Sequence, residues 1–404
     1  MDISSIHPLM PKNTQSLQEL ALKISSSSGE LAGKLHPKSR QAVEDLLRIV
    51  NSYYSNLIEG NSTHPSDIER ATLDDYDADT AIRELQLESK AHIRCQSEIS
   101  ELLRQKPNLH VASPDFLCWV HKTFYDQLPN SMRYVTHSET DEGIEVVGGE
   151  IRQRGVKVGA HVAPPENLVP DLLQIFENHY NGRVYGSNKI IAAAAAHHRL
   201  MWIHPFLDGN GRVARLFTDA YFKTIPLTGY GMWNVSRGLA RDRDKYRAML
   251  SVADQKRQGD LDGRGYLSQK RLDEFCEYFL TICVDQIEYM SGLLNLDGLL
   301  KRVESYVILR NSQLIPNPLP ESYQSLKLEA APIIKEVILH GELSRGDAAA
   351  FSGLKRTGRD ILKQLIDEKI LVSDMPKGPV RFGLPVSMAT WIFPELYPNK
   401  NLNL

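Results

Sequence analysis

Cysteine is scarce in this sequence. The 404 residues hold 4, at positions 95, 118, 276 and 283, and no two of them form a C-x-x-C pair. That argues against a disulfide-stapled scaffold or a cysteine-bound zinc and leaves reduced thiols, with Cys276 and Cys283 two helical turns apart on a core face. No uninterrupted apolar run approaches the roughly eighteen residues of a membrane span. The segment Met1 to Lys12 has neither a basic start nor an apolar stretch, so the expected location is cytoplasmic and no membrane partner is expected. A dominant charge is missing as well. With a formal net charge of −3, there is no global pull toward nucleic acid or anionic lipid, and any such binding needs a local patch. His197, His198 and His204 suggest metal at first sight, yet there is no H-E-x-x-H and no histidine pair at i,i+4. Core or supporting roles for His197 and His198 are the better reading.

What is present is a helical pattern. Apolar residues at 43, 46, 47, 50, 54, 57 and 58 predict an amphipathic helix over 39–58, stopped by Gly60. Further helical patterns cover 80–104, 113–128 (Ser113 capping Pro114), 170–180, 188–202, 242–250 and 271–294. Between them, 145–162 breaks into short β-like runs around Gly148, Gly149 and Gly155, which predicts a hairpin. Prolines at 316, 318 and 320 place a linker over 311–325. The expected organisation is an N-terminal helical region over 1–110, a helical core over 111–310 and a separate C-terminal domain over 326–404.

The chemistry is concentrated in His204-Pro-Phe-Leu-Asp-Gly-Asn-Gly-Arg-Val-Ala-Arg215. One short segment carries a base, a carboxylate, a glycine-flanked loop and two guanidiniums. Glycines let backbone N–H groups approach an anion, and a helix starting near Asn210 adds the positive end of its dipole. Arg212 and Arg215 are three apart, so both are expected on one helix face, able to reach the same polyphosphate.

This segment resembles the signature of the Fic family, H-P-F-x-[D/E]-G-N-G-R-x-x-R, at every specified position. The resemblance implies a mainly α Fic-type core with a β-hairpin flap and a protein AMP-transferase that moves AMP from ATP to a Ser, Thr or Tyr hydroxyl, releasing pyrophosphate. By that resemblance His204 is the base, Asp208 holds Mg²⁺, and Gly209, Asn210, Gly211, Arg212 and Arg215 bind the ATP phosphates. Phe206 is expected to anchor the loop. Glycine at 211, where the phosphorylating Doc-type branch has lysine, favours adenylyl transfer. Val156, Lys157, Val158 and Gly159 resemble the flap that pairs with an extended target segment. Arg243 and Tyr246 fall where the family contacts the nucleoside, although Asp242 and Arg247 depart from its usual Asn and Tyr.

Ser55-Asn-Leu-Ile-Glu59-Gly60 matches the family's inhibitory pattern [S/T]-x-x-x-E-[G/N]. The resemblance implies that Glu59, one turn from Ser55, pairs with Arg215 and holds the enzyme in check. The expected partners are a target protein bearing the acceptor hydroxyl, the chain itself as a substrate for self-modification, and a second copy in a homodimer. The order of elements after 328 resembles a winged helix-turn-helix, with Lys355, Arg356, Arg359 and Lys363 on or beside the helix that would enter a DNA groove. An interaction or dimerisation module is the equal alternative for that domain. For the whole chain, the alternatives are a nucleotide-sensing DNA-binding regulator and removal of AMP at the same site, with Glu59 orienting water.

Overall fold

Capping chemistry sets most of the element boundaries in the computed structural model of the chain, which describes residues 2–12, 14–136, 143–182, 184–354 and 356–398. The helices are α1 (Gln15–Gly33), α2 (Pro37–Glu59), α3 (Pro65–Thr72), α4 (Thr80–Gln105), α5 (Pro114–Tyr125), α6 (Val169–Tyr180), α7 (Asn188–Ile203) and α8 (Asn210–Lys223). They continue as α9 (Ser236–Arg241), α10 (Arg243–Ala253), α11 (Gln269–Leu293), α12 (Leu296–Asn311), α13 (Ala330–His340), α14 (Arg345–Ala350), α15 (Thr357–Asp367) and α16 (Val386–Ile392). Three small antiparallel sheets complete the described residues. They are β1 (Tyr134–Thr136) with β2 (Gly143–Glu145), β3 (Lys157–Val158) with β4 (His161–Val162), and β5 (Glu342–Leu343), β6 (Leu371–Val372) and β7 (Val380–Phe382) in the order β5-β7-β6. The protein is therefore mainly α.

Proline at the first helical position opens α2, and Gly60 in the left-handed region at φ 103° closes it. Asp79 accepts from the N–H groups of Ala81 and Ile82 to start α4, and Ser113 accepts from Phe116 to start α5. The alanine run 192–196 is fully buried along α7. Side chains that small let α6, α8 and α11 pack closely around α7, so α7 is the axis that delivers the chain to His204.

The proline-rich stretch does not set the C-terminal segment apart. Ser39 Oγ donates to the Ile338 carbonyl at 2.9 Å and Tyr54 Oη to that of Leu396 at 2.9 Å. Arg237 reaches the Glu395 carbonyl at 3.1 Å, and the Val386 N–H donates to Glu69 at 2.9 Å. Buried apolar residues from 326 to 397 join the same cluster as the central helices. The expected three helices followed by two strands are present after Ala330, but β5 between the first two helices and α16 after the last strand were not expected, and the unit lies along α2. Lys355 falls outside the described residues. Deleting 326–404 should therefore expose one face of α2 and strand several buried hydrogen bonds worth about 1 kcal/mol each. The truncated protein is expected to melt at least several degrees lower, and an unchanged melting curve would show that this packing contributes nothing.

Candidate active site

His204 ends α7 in the left-handed conformation, φ 51°, which turns the chain sharply into the loop leading to α8. Its Nδ1 faces the Met201 carbonyl at 3.3 Å. A carbonyl only accepts, so the ring proton belongs on Nδ1 and the Nε2 lone pair is left for chemistry. Burial first, and then the neighbouring His161, lower the His204 pKa to about 4. The ring is therefore neutral through the physiological range.

The loop that follows is braced from inside. The Asn210 side chain accepts from the Phe206 N–H at 2.9 Å and donates to the Phe206 carbonyl at 2.8 Å. Phe206 is fully buried and stacks on His121 with centroids 4.0 Å apart and planes 8° from parallel. Gly209 has φ 77°, and a Cβ there would lie 2.7 Å from the Tyr125 ring, so no other residue fits. Because the Asn210 amide is committed to the loop, the groups left for an anion are backbone N–H groups in the first turn of α8.

Asp208 Oδ2 accepts from Tyr125 Oη at 2.5 Å and from Arg212 Nη2 at 3.1 Å. Burial pushes its pKa up, but Arg212 and the Tyr125 hydroxyl outweigh that, and the net shift is downward. Arg212 is held by the fully buried Glu88 of α4 and lies over the Phe124 ring at 5.2 Å. Arg215 takes the opposite course. Its Nε donates to Ser55 Oγ at 2.9 Å, and its Nη2 donates to the Ser55 carbonyl at 3.0 Å and to Glu59 at 2.5 Å. Burial raises the Glu59 pKa, Arg215 and Arg212 lower it, and the net shift is again downward. Glu59 is thus an anion lying against the glycine-rich turn, since a Cβ on Gly211 would collide with its Oε1.

These groups border a cavity of about 480 Å³ that His204, Asp208, Gly209, Asn210, Gly211, Arg215 and Glu59 line together. The volume suits a ligand of nucleotide size. Residues 112–222 match the profile of the Fic/DOC family. The chain carries a Fic domain. Over 111 residues it is 35% identical to a protein adenylyltransferase Fic of Drosophila willistoni, and over 75 residues 44% identical to that of Drosophila grimshawi. These alignments cover 27% and 18% of this chain and 21% and 16% of the relatives, so the chain spans about a fifth of the length of the curated relatives it matches. In fold it is similar to a Fic family protein from Desulfovibrio desulfuricans G20, with TM-score 0.52, 18% identity, and 91% of this chain and 96% of that one covered. A Fic-domain signalling protein from Bacteroides thetaiotaomicron gives TM-score 0.50 at 19% identity, covering 69% of this chain and 96% of that one.

Not every residue expected at the site of the Fic domain reaches the cavity. Of the two motif arginines only Arg215 lines it, while Arg212 is spent on Glu88 and Asp208. Sharing one helix face placed them together, but partners on α4 and α2 draw them apart. Arg243 is exposed at the start of α10 and does not line the cavity. Arg247, one turn on, does, and donates to the Ile58 carbonyl at 2.6 Å. Tyr246 lines the cavity from below, its hydroxyl 2.7 Å from His197 Nε2. His197 Nδ1 lies 2.8 Å from Thr218 Oγ1, and among the described residues no group of three or more metal-binding side chains occurs. In the flap, Val158 and Gly159 border the cavity, Lys157 points to solvent, and the Val156 carbonyl accepts from the Ala163 N–H at 3.1 Å.

Glu88, Tyr125 and His121 were not legible as site residues, and Arg152 was expected only as the start of the flap segment 152–159. Arg152 is buried and donates to the carbonyls of His204 at 2.7 Å, Arg154 at 2.8 Å, Pro164 at 2.5 Å and Ile203 at 3.4 Å. It ties the base of the flap to the histidine turn. Nothing local marks this role, since Arg152 stands in the largely polar run from Glu150 to Arg154.

Proposed function

We propose that this chain is an autoinhibited protein AMP-transferase. The observation that carries the reading is the convergence of a neutral histidine with a free Nε2, one carboxylate and a glycine-rich helix N-terminus on one cavity, with Glu59 set against that N-terminus. His204 Nε2 takes the proton of a protein hydroxyl as its oxygen attacks the α-phosphorus of ATP. The new P–O bond forms as the bond to the β-phosphate bridge breaks, and pyrophosphate leaves. Backbone N–H groups at the start of α8 steady the phosphate charge, and the exposed edge of β3 receives the target as an added strand.

Asp208 suits Mg²⁺. Its side chain is 42% exposed on the cavity wall, and magnesium commonly takes one or two carboxylates plus phosphate oxygens. The ion would neutralise phosphate charge when bound. Asp208→Ala should raise the magnesium concentration needed for half-maximal transfer about tenfold or more, with partial recovery at high magnesium. A rate lost equally at all magnesium concentrations would count against the assignment.

The element order and the β5-β7-β6 sheet support a winged-helix reading of the C-terminal unit, and its packing on α2 favours an interaction role over DNA binding. Lys363 pairs with Asp367 at 3.0 Å, and Asp360 shares the exposed face of α15 with Arg359, which weakens a basic groove-binding surface. Self-modification and the acceptor type are settled by one measurement. The purified protein is incubated with ATP and Mg²⁺, and AMP adducts are mapped by mass spectrometry. Absence of any adduct on the protein or on added lysate proteins, with ATP bound, would sink the transferase reading.

A further inference from the structure

The β3–β4 hairpin has only two paired positions on each strand, and Lys157, Val158, Gly159, Ala160 and Val162 are all exposed. An isolated two-stranded hairpin is marginal in water, so something beyond its own backbone must hold this one over the cavity. Its one inward side chain at the tip is His161, 13% exposed. Nδ1 lies 3.0 Å from Asp254 Oδ2, just past α10, and Nε2 lies 3.0 Å from the Trp202 carbonyl in the last turn of α7. Asp254 is itself fixed. His198 accepts from Arg199 at Nδ1 (2.7 Å), so its Nε2–H points at Asp254 Oδ1, 3.2 Å away, and at the Leu250 carbonyl, 3.1 Å away. The His161 and His204 rings are 6.2 Å apart.

We propose that His161 is a positioning residue, a latch that joins the flap tip to α10 and to the turn carrying His204 and so fixes the height of the β3 edge above the reacting site. Arg152 holds the base of the flap and His161 the tip. Both attach to the backbone within two residues of His204, at Trp202, Ile203 and His204. The edge on which an extended target would lie is thereby indexed to the base that takes its proton. The consequence for transfer rests on the AMP-transferase reading, whereas the latch itself does not.

The test compares wild type, His161→Phe, which keeps a ring without donors, and His161→Gln, which keeps one donor. Amide hydrogen exchange over 156–163 is expected to quicken about tenfold in His161→Phe, as for loss of one or two hydrogen bonds, and to recover in part in His161→Gln. Exchange in α7 and α10 and the affinity for a fluorescent ATP analogue should not change. Self-labelling from α-labelled ATP should fall in kcat with little change in KM for ATP. Its acid limb should move to higher pH, because His204 loses a neighbour that lowers its pKa and gains access to water. The other charged groups facing His204 are Arg152 and Asp208. Unaltered exchange across 156–163 in His161→Phe, or quickening spread evenly through α7 and α10, would overturn the latch. A loosened flap with unchanged kcat would overturn its positioning role. If wild type transfers nothing, the transferase reading fails, and the exchange comparison still decides the latch.

Discussion

Glu59→Gly should raise the rate of self-AMPylation by one to two decades at saturating ATP. In the wild-type structure the Glu59 carboxylate bonds Arg215 at 2.5 Å and abuts Gly211 in the turn where phosphate oxygens would lie. It neutralises the guanidinium and presents a negative charge to the incoming anion. Removing it leaves Arg215 still placed by Ser55 Oγ and the Ser55 carbonyl, so the cation is freed without being lost. Each tenfold gain corresponds to about 1.4 kcal/mol, within the range of one partly buried ion pair. The fold should tolerate the change, because Glu59 is the last residue of α2 and 31% of its side chain is exposed. The comparison uses α-labelled ATP with both proteins shown to be folded, and equal rates would refute the brake.

The largest loss is expected from His204→Ala, at least two decades in transfer and on the order of 10²–10⁴ for removal of a positioned base. ATP affinity should change only a few-fold, since in the proposed reading phosphate contacts would come from the α8 N-terminus and Arg215. The left-handed backbone at 204 carries a Cβ in both proteins, so the substitution removes the imidazole without adding new strain. The wild-type rate should also hold on the acid side of neutrality, because His204 is kept neutral down to about pH 4 before nucleotide binds. Bound polyphosphate would shift that limb upward by its negative charge. Undiminished labelling in His204→Ala would remove His204 from the chemistry.

The helices were legible because their signals are local. The pattern over 39–58 with Gly60 became α2, and Ser113-Pro114 became the start of α5, since caps and periodicity act over a few residues. The helices α1, α3, α9, α12 and α16 were missed. α1 is serine-rich with a weak apolar stripe, and it is fixed by packing on α11. The hairpin was expected in the right region but not in its register, since two-residue strands carry little alternation to read.

The sequence by itself kept the proposed reacting set together, because His204, Asp208, Gly209 and Gly211 are consecutive or nearly so and a short chain cannot scatter them. It also brought Ser55 and Glu59 onto one helical face. Tertiary structure alone decided which guanidinium faces the cavity. Arg212 and Arg215 share one helix, but Glu88 lies 124 residues from the first and Glu59 156 residues from the second along the chain. The inhibitory pattern implied Glu59 as a partner, but Glu88 leaves no trace in the sequence, since burial selects it only when α4 closes against α8. The same holds for Arg152, His161 and Asp254, whose donors and acceptors meet through loops and helix ends. A buried or half-buried polar group must find a partner, and only the packed fold settles which one.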